Sequence, residues 1–261
     1  MIFRQLFEPD SCTYTYLLGC EESGQALLID PVIDTAERDL QVVRELGLTL
    51  VYTLETHIHA DHLTGARKLK ALAGSRIVVP AMDRLECADL GVEEGRPFQM
   101  GSVTLQPLHT PGHTATHHAY RMDNGMQPVL FTGDALLIEA CGRTDFQSGD
   151  PHALYRSIHE KFFRLPDETL VYPAHDYERR QITTIGQEKA RNPRLGDNRG
   201  EAAFVEIMTG LNLPYPRKID FAVPGNEACG RCPDNVPEAY RGPCDIETLP
   251  SARSARVGDQ G

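Results

Sequence analysis

Thr56-His57-Ile58-His59-Ala60-Asp61-His62 is the stretch on which the reading of this chain turns. Four potential metal-binding side chains occupy six consecutive positions, directly after the apolar run Leu50-Val51-Tyr52-Thr53-Leu54. A short apolar run of this kind reads as a buried strand, so the HxHxDH motif sits on the loop at its carboxyl end. In an extended loop His57 and His59 project from one side, and imidazole together with carboxylate suits iron or zinc. A single histidine is often an ordinary core residue, but this density at a strand end points to a metal centre.

Outward from the motif, strand and helix patterns alternate. Residues 2–7, 13–18 and 26–29 read as strands. Between 34 and 46 the residues Ala36, Leu40, Val43 and Leu46 recur at helical spacing, with Asp34 or Thr35 as a cap and Gly47 as a stop. After the motif a helix is expected to begin near Asp61 or His62 and to run through Leu63, Ala66, Leu69 and Leu72 to Gly74, before a strand over 76–80. Further strands are expected at 103–108, 117–122 and 129–132, with Asp123-Asn124-Gly125 as a hairpin-type turn, and helices at 151–163, 177–190 and 200–208. Each half thus has strands followed by helices and metal-type residues just past a strand. An αββα sandwich, two mixed β-sheets flanked by helices, fits this order best. From about Leu213 the chain is rich in Pro, Gly and charge without periodicity. The expected division is a catalytic domain over 1–212, an irregular extension packed on it over 213–250, and a disordered tail over 251–261.

Composition excludes several classes of function. A chain of 261 residues with 41% hydrophobic content can bury a full core. A net charge of -11, with no basic run longer than a pair such as Arg179-Arg180, argues against a nucleic-acid surface. No apolar run approaches the roughly 20 residues of a membrane helix, and residues 1–7 lack the apolar region of a signal peptide, so a cytoplasmic protein without membrane contact is expected. The seven cysteines are an odd number spread along the chain, which favours reduced thiols. Cys229-Gly230-Arg231-Cys232 lacks a second CxxC and reads as a pair of loop cysteines.

Three further segments repeat the theme of a metal-type side chain at a strand-to-loop junction. His113 follows the tight turn Thr110-Pro111-Gly112, Asp134 ends Val129-Leu130-Phe131-Thr132-Gly133, and His175 ends Leu170-Val171-Tyr172-Pro173-Ala174. Each alone is weak evidence. In the order HxHxDH, H, D, H they match the metallo-β-lactamase superfamily, which the chain resembles over about 10–180 and whose fold is the αββα sandwich. In superfamily hydrolases the complete set holds two zinc-type ions, so the motif by itself does not settle how many metals bind.

The segment Asp134-Ala135-Leu136-Leu137-Ile138-Glu139-Ala140-Cys141-Gly142-Arg143-Thr144-Asp145-Phe146-Gln147 is more specific and closely resembles the persulfide dioxygenases. Tyr172-Pro173-Ala174-His175-Asp176-Tyr177, Asn192-Pro193-Arg194-Leu195 and Lys218-Ile219-Asp220-Phe221-Ala222-Val223-Pro224 extend that resemblance to about residue 230. It implies an enzyme that oxidises glutathione persulfide with O2 and water to sulfite and glutathione. It also implies one iron(II) per chain, held by His57, His113 and Asp134, with His59 and His62 around those ligands. Asp61 and His175 are the expected catalytic groups, and Arg143 and Tyr177 the expected contacts to glutathione. After His113-Thr114 the chain departs from the family pattern with Ala115-Thr116-His117-His118. Adjacent strand residues face opposite ways, so at most one of these two histidines should reach the metal. Family resemblance makes a homodimer the assembly to test. The alternative reading is a glyoxalase II-like binuclear zinc thioesterase hydrolysing acyl-glutathione, for which all seven ligand-type residues are present.

Overall fold

The computed structural model describes residues 1–123, 125 and 127–244. Asn124 of the expected hairpin turn and the expected tail over 251–261 lie outside the described residues.

Twelve strands form two six-stranded sheets. The first runs in spatial order through β1 (Ile2–Glu8), β2 (Thr13–Cys20), β3 (Gln25–Ile29), β4 (Thr49–Leu54), β5 (Arg76–Pro80) and β6 (Leu90–Val92). Its first three strands pair antiparallel, and β3 to β6 pair parallel. The second sheet, from the other edge, is β12 (Thr183–Thr184), β11 (Leu170–Pro173), β10 (Pro128–Gly133), β9 (His118–Asp123), β8 (Val103–His109) and β7 (Phe98–Met100). Only β10 and β11 pair parallel there. Both sheets are therefore mixed, as expected.

Period-two alternation sorts the strand residues into three packed layers, one between the sheets and one on each outer face. Tyr16, Leu18, Leu27, Ile29 and Leu54 of the first sheet meet Leu105, Tyr120, Met122 and Phe131 of the second between the sheets. Their neighbours Leu17, Ala26, Leu28 and Leu50 face outward, under Leu40 and Val43 of α1 (Ala36–Glu45) and Leu69 of α2 (Ala66–Ala73). On the opposite outer face Ala119, Leu130 and Val171 pack under Leu154 of α3 (Pro151–Ser157), Ile185 of α4 (Ile185–Arg191) and Phe204 of α5 (Glu201–Thr209). Every residue of β2 is buried because it is covered on both faces. Burying both faces of two sheets is what forces four layers.

Three expectations are corrected. The helix after the metal motif begins at Ala66, not at Asp61 or His62, because the intervening backbone groups are committed elsewhere: Asn226 binds the His59 and His62 carbonyls and the Thr64 N–H. The helix expected over 177–190 is confined to Ile185–Arg191; the Asp176 carboxylate accepts from the backbone N–H groups of Glu178 and Arg180, making a turn, and Thr184 caps the helix through Gln187. The extension expected to be irregular carries α6 (Ile219–Glu227), whose Phe221 and Ala222 cluster with Ile33, Leu63 and Val236.

The expectation of reduced thiols is also overturned. Cys87 pairs with Cys229 and Cys232 with Cys244, so Cys229 and Cys232 serve two different bridges. Sequence spacing concealed this, since the first bridge spans 142 residues. Among the described residues no helix is long and apolar enough to cross a membrane.

Alkylation of the unfolded protein before reduction should label three cysteines, Cys12, Cys20 and Cys141, and after reduction all seven, counted by mass spectrometry. Cys87→Ser should lower stability by about 2–4 kcal/mol in denaturant titration; labelling of Cys87 and Cys229 in the unreduced protein would refute the bridge.

Candidate metal centre and cavity

The candidate ligands come from the carboxyl ends of strands in both sheets. His57 follows β4, His113 follows β8, Asp134 follows β10 and His175 follows β11. The sheets are zipped together at this end: the His118 N–H donates to the Thr56 carbonyl at 2.9 Å and the Tyr14 N–H to Ala174 at 2.7 Å. Seven ligand-type residues spread over some 120 positions of sequence thereby meet in one place.

His57, His113 and Asp134 each offer a ligand atom within 4.8 Å of the others. Both imidazoles are oriented through Nδ1. Thr56 Oγ1 donates to the Asp30 carboxylate at 2.9 Å and accepts from His57 Nδ1 at 2.9 Å. Asp30 also accepts the Thr56 N–H at 2.7 Å, so the hydroxyl is held from behind. His113 Nδ1 donates to the Arg143 carbonyl at 2.8 Å. With Nδ1 protonated and bound, Nε2 of each ring is the free lone pair, the form a metal requires. Burial first, then neighbouring histidines, pushes the His57 pKa well below its ordinary value, which keeps that ring neutral. Asp134 Oδ1 is buried without a hydrogen-bond partner, and its carboxylate is 3.5 Å from both His113 Nε2 and His175 Nε2. An orphaned carboxylate oxygen facing free imidazole nitrogens fits a bound divalent cation.

The other residues of the motif have different surroundings. His59 Nε2 lies 3.2 Å from Asp30 and 3.6 Å from Glu55. Burial opposes its charge, but these two carboxyl groups outweigh burial and raise its pKa to about 9. Asp61 Oδ2 is 3.1 Å from His62 Nδ1 and 3.6 Å from His175 Nε2. Thr13 Oγ1 sits between His62 Nδ1 at 3.4 Å and His175 Nδ1 at 3.3 Å. His59, Asp61 and His175 form a second group with atoms within 4.8 Å.

The segment Asp134 to Gln147 wraps this centre. The Gly142 N–H donates to the Asp134 carbonyl at 2.8 Å, Arg143 receives His113, and Gln147 Nε2 donates to the Ile58 carbonyl at 2.7 Å. The Arg143 guanidinium is not free: Nε and Nη2 hold Asp145 at 2.7 Å each, and Nη1 donates to Pro214 at 2.9 Å. Cys141 is buried and burial pushes its thiol up to about 11, so it is no nucleophile. A cavity of about 680 Å³ opens beside His113, Asp134, His175 and Asp61 and is lined further by Arg143, Tyr177, Arg194 and Arg217. Among the described residues Arg194 and Arg217 take part in no ion pair, and Arg194 Nη1 donates only to Cys141, by its carbonyl at 2.8 Å and its sulfur at 3.7 Å. Tyr177 is 75% exposed and its ring stacks on His175, with centroids 6.3 Å apart.

His117 is the histidine of the departing pair that reaches the centre. Its Nε2 accepts the Asp134 N–H at 3.1 Å and its Nδ1 donates to Thr110 Oγ1 at 2.8 Å, whereas His118 faces the other way beside His109. Gly133, at φ +51°, makes this contact feasible, since a Cβ there would lie 2.4 Å from His117 Nε2. Asp30, Thr56, Thr13 and Asn226 were not singled out from sequence. Thr56 and Asp30 had a signal, as each sits at the carboxyl end of a parallel strand; Asn226 had none.

A family model of the metallo-beta-lactamase superfamily matches residues 11–175. The mitochondrial persulfide dioxygenase ETHE1 of Bos taurus is 49% identical over 231 residues, covering 88% of this chain and 89% of its own length. The crystal structure of ETHE1 from Myxococcus xanthus superposes with a TM-score of 0.84 at 47% identity, covering 88% of this chain and all of that one. A hydroxyacylglutathione hydrolase from Polaromonas is 40% identical over 223 residues, covering 79% of this chain and 83% of its own.

Thr56→Val keeps the shape of residue 56 and removes the hydroxyl that joins Asp30 to His57. It should weaken metal binding roughly 10- to 100-fold while leaving the fold intact. Unchanged affinity in an anaerobic iron titration would show that the Asp30–Thr56–His57 chain does not orient the ligand.

Proposed function

Since the chain belongs to the metallo-β-lactamase superfamily and, within it, to the persulfide dioxygenases, we propose that it oxidises glutathione persulfide with O2 and water to sulfite and glutathione, using one iron(II) held by His57, His113 and Asp134. The observation that carries this reading is the surroundings of His59. In a binuclear hydrolase this position is needed as a ligand; here its Nε2 faces Asp30 at 3.2 Å and Glu55 at 3.6 Å. Three protein ligands then leave open positions toward the cavity, where a second reactant can meet the first. Bound iron(II) supplies the one-electron chemistry with O2 that zinc lacks.

The chain's own groups divide the remaining work. His175, 3.5 Å from Asp134 and 3.6 Å from Asp61, lines the cavity with both carboxylates and is the group placed to carry a proton released as the persulfide sulfur is oxidised, while Asp61 stays ionised beside it. Glutathione brings two carboxylates to a protein of net charge -11, so local cations must receive it. Arg194 and Arg217 supply unpaired guanidinium groups, and Arg143 retains free N–H donors beyond those given to Asp145 and Pro214. Tyr177 offers a phenol at the cavity mouth. The cavity is of the size of an ordinary small-molecule site.

Protein loaded anaerobically with iron(II) should carry one iron per chain, consume O2 on addition of glutathione persulfide and release sulfite. Two zinc ions per chain with hydrolysis of an acyl-glutathione and no O2 uptake would instead establish the thioesterase. Arg194→Ala should raise KM for the persulfide by roughly 10- to 100-fold, the loss expected for a charge-assisted hydrogen bond, with kcat much less affected; an unchanged KM would remove Arg194 from the binding site.

A further inference from the structure

Asn226 lies at the end of α6, outside the superfamily match over 11–175, yet its side chain is spent on the metal loop. Nδ2 donates to the carbonyls of His59 at 2.9 Å and His62 at 2.8 Å, and Oδ1 accepts the Thr64 N–H at 2.8 Å. Both amide protons and the carbonyl oxygen are thus used on three backbone groups that no helix or strand satisfies, and the residue is 4% exposed. The bond to Thr64 leads onward, because the Thr64 hydroxyl donates to Glu55 Oε1 at 2.6 Å, and Glu55 flanks His59.

The surroundings hold Asn226 to this task. Cys229, three residues on, is bridged to Cys87, and its carbonyl accepts the Arg67 N–H at 3.2 Å at the start of α2. Gly230 comes so close that a Cβ would lie 2.3 Å from the Thr64 carbonyl, at a φ of +88° that suits glycine. The C-terminal segment is therefore pressed against the ligand loop from one side while β4 holds it from the other.

We propose that Asn226 is a positioning residue of the metal centre: by fixing the backbone at His59, His62 and Thr64 it braces the loop that carries His57, whose ring Thr56 and Asp30 orient. The proposal rests on the ligand set His57, His113 and Asp134 given above. No other described side chain spans these three backbone groups, so α6 completes a site whose ligands all lie elsewhere in the chain.

Asn226→Asp keeps the volume but points carboxylate oxygen at two carbonyls, and Asn226→Ala removes the link; the Asp variant is read even where the Ala variant does not fold. Each apoprotein is checked for folding by circular dichroism and titrated anaerobically with iron(II) against a competing chelator. Both folded variants should lose roughly 10- to 100-fold in iron affinity, as for other groups that orient ligands, and amide exchange across 57–64 should accelerate. Cys232→Ser with Cys244→Ser loosens the same extension without touching Asn226, and should lower the melting temperature with iron affinity unchanged. Wild-type affinity in folded Asn226→Asp, or an equal loss in the double serine variant, would overturn the proposal. His113→Ala serves as the separate check on the ligand set: if it binds iron as tightly as wild type, the metal assignment fails, whatever the Asn226 variants do.

Discussion

Two imidazoles and one carboxylate can share a divalent cation only if their lone pairs face one point, and in this protein the three candidate ligands are held by hydrogen bonds behind them. Thr56 and Asp30 turn His57, the Arg143 carbonyl turns His113, and His117 holds the backbone of Asp134. Asp30 and Thr56 sit just past strand ends, His117 just before β9, and Arg143 on the loop that wraps the centre. The two sheets, packed through Tyr16, Tyr120 and Phe131, fix the distances between those ends. Remove the packing and the donors still exist, but nothing makes them converge.

The same constraint bears on how many metals the centre can hold. A superfamily ligand set is present in full, yet His59 is turned to Asp30 and Glu55, and Asp30 is itself spent on Thr56. Carboxyl groups beside His59 raise its pKa against the opposing effect of burial, so a proton competes with any metal for its lone pair. A full set of ligand-type residues therefore does not by itself fix the number of metals, because what each residue touches also counts.

Much of the fold was legible in the sequence because its signals are local. The apolar segments 13–18 and 26–29, bounded by turn signals, marked strands covered on both faces, and Ala36, Leu40 and Val43 marked α1. What failed were elements decided by distant partners. Residues 61–65 have helical spacing but give their backbone groups to Asn226, Pro31 and Ile33; residues 177–182 are bent by the Asp176 carboxylate; α6 hides in a stretch rich in Pro and Gly and is held by Leu63 and Val236. Four cysteines that looked incidental are paired across 142 and 12 residues.

By itself the sequence determined which chemistry is on offer: the residue types and order of His57 to His62, His113, Asp134 and His175, and the segment Asp134 to Gln147 that sets the family. Only the tertiary structure decided which of those groups face one another, that His117 and not His118 stands behind Asp134, that Arg143 is paired with a carboxylate while Arg194, among the described residues, is not, and that Asn226 braces the ligand loop. The reason is physical. A ligand's identity is carried by its own side chain, whereas its direction is set by groups that share no sequence neighbourhood with it.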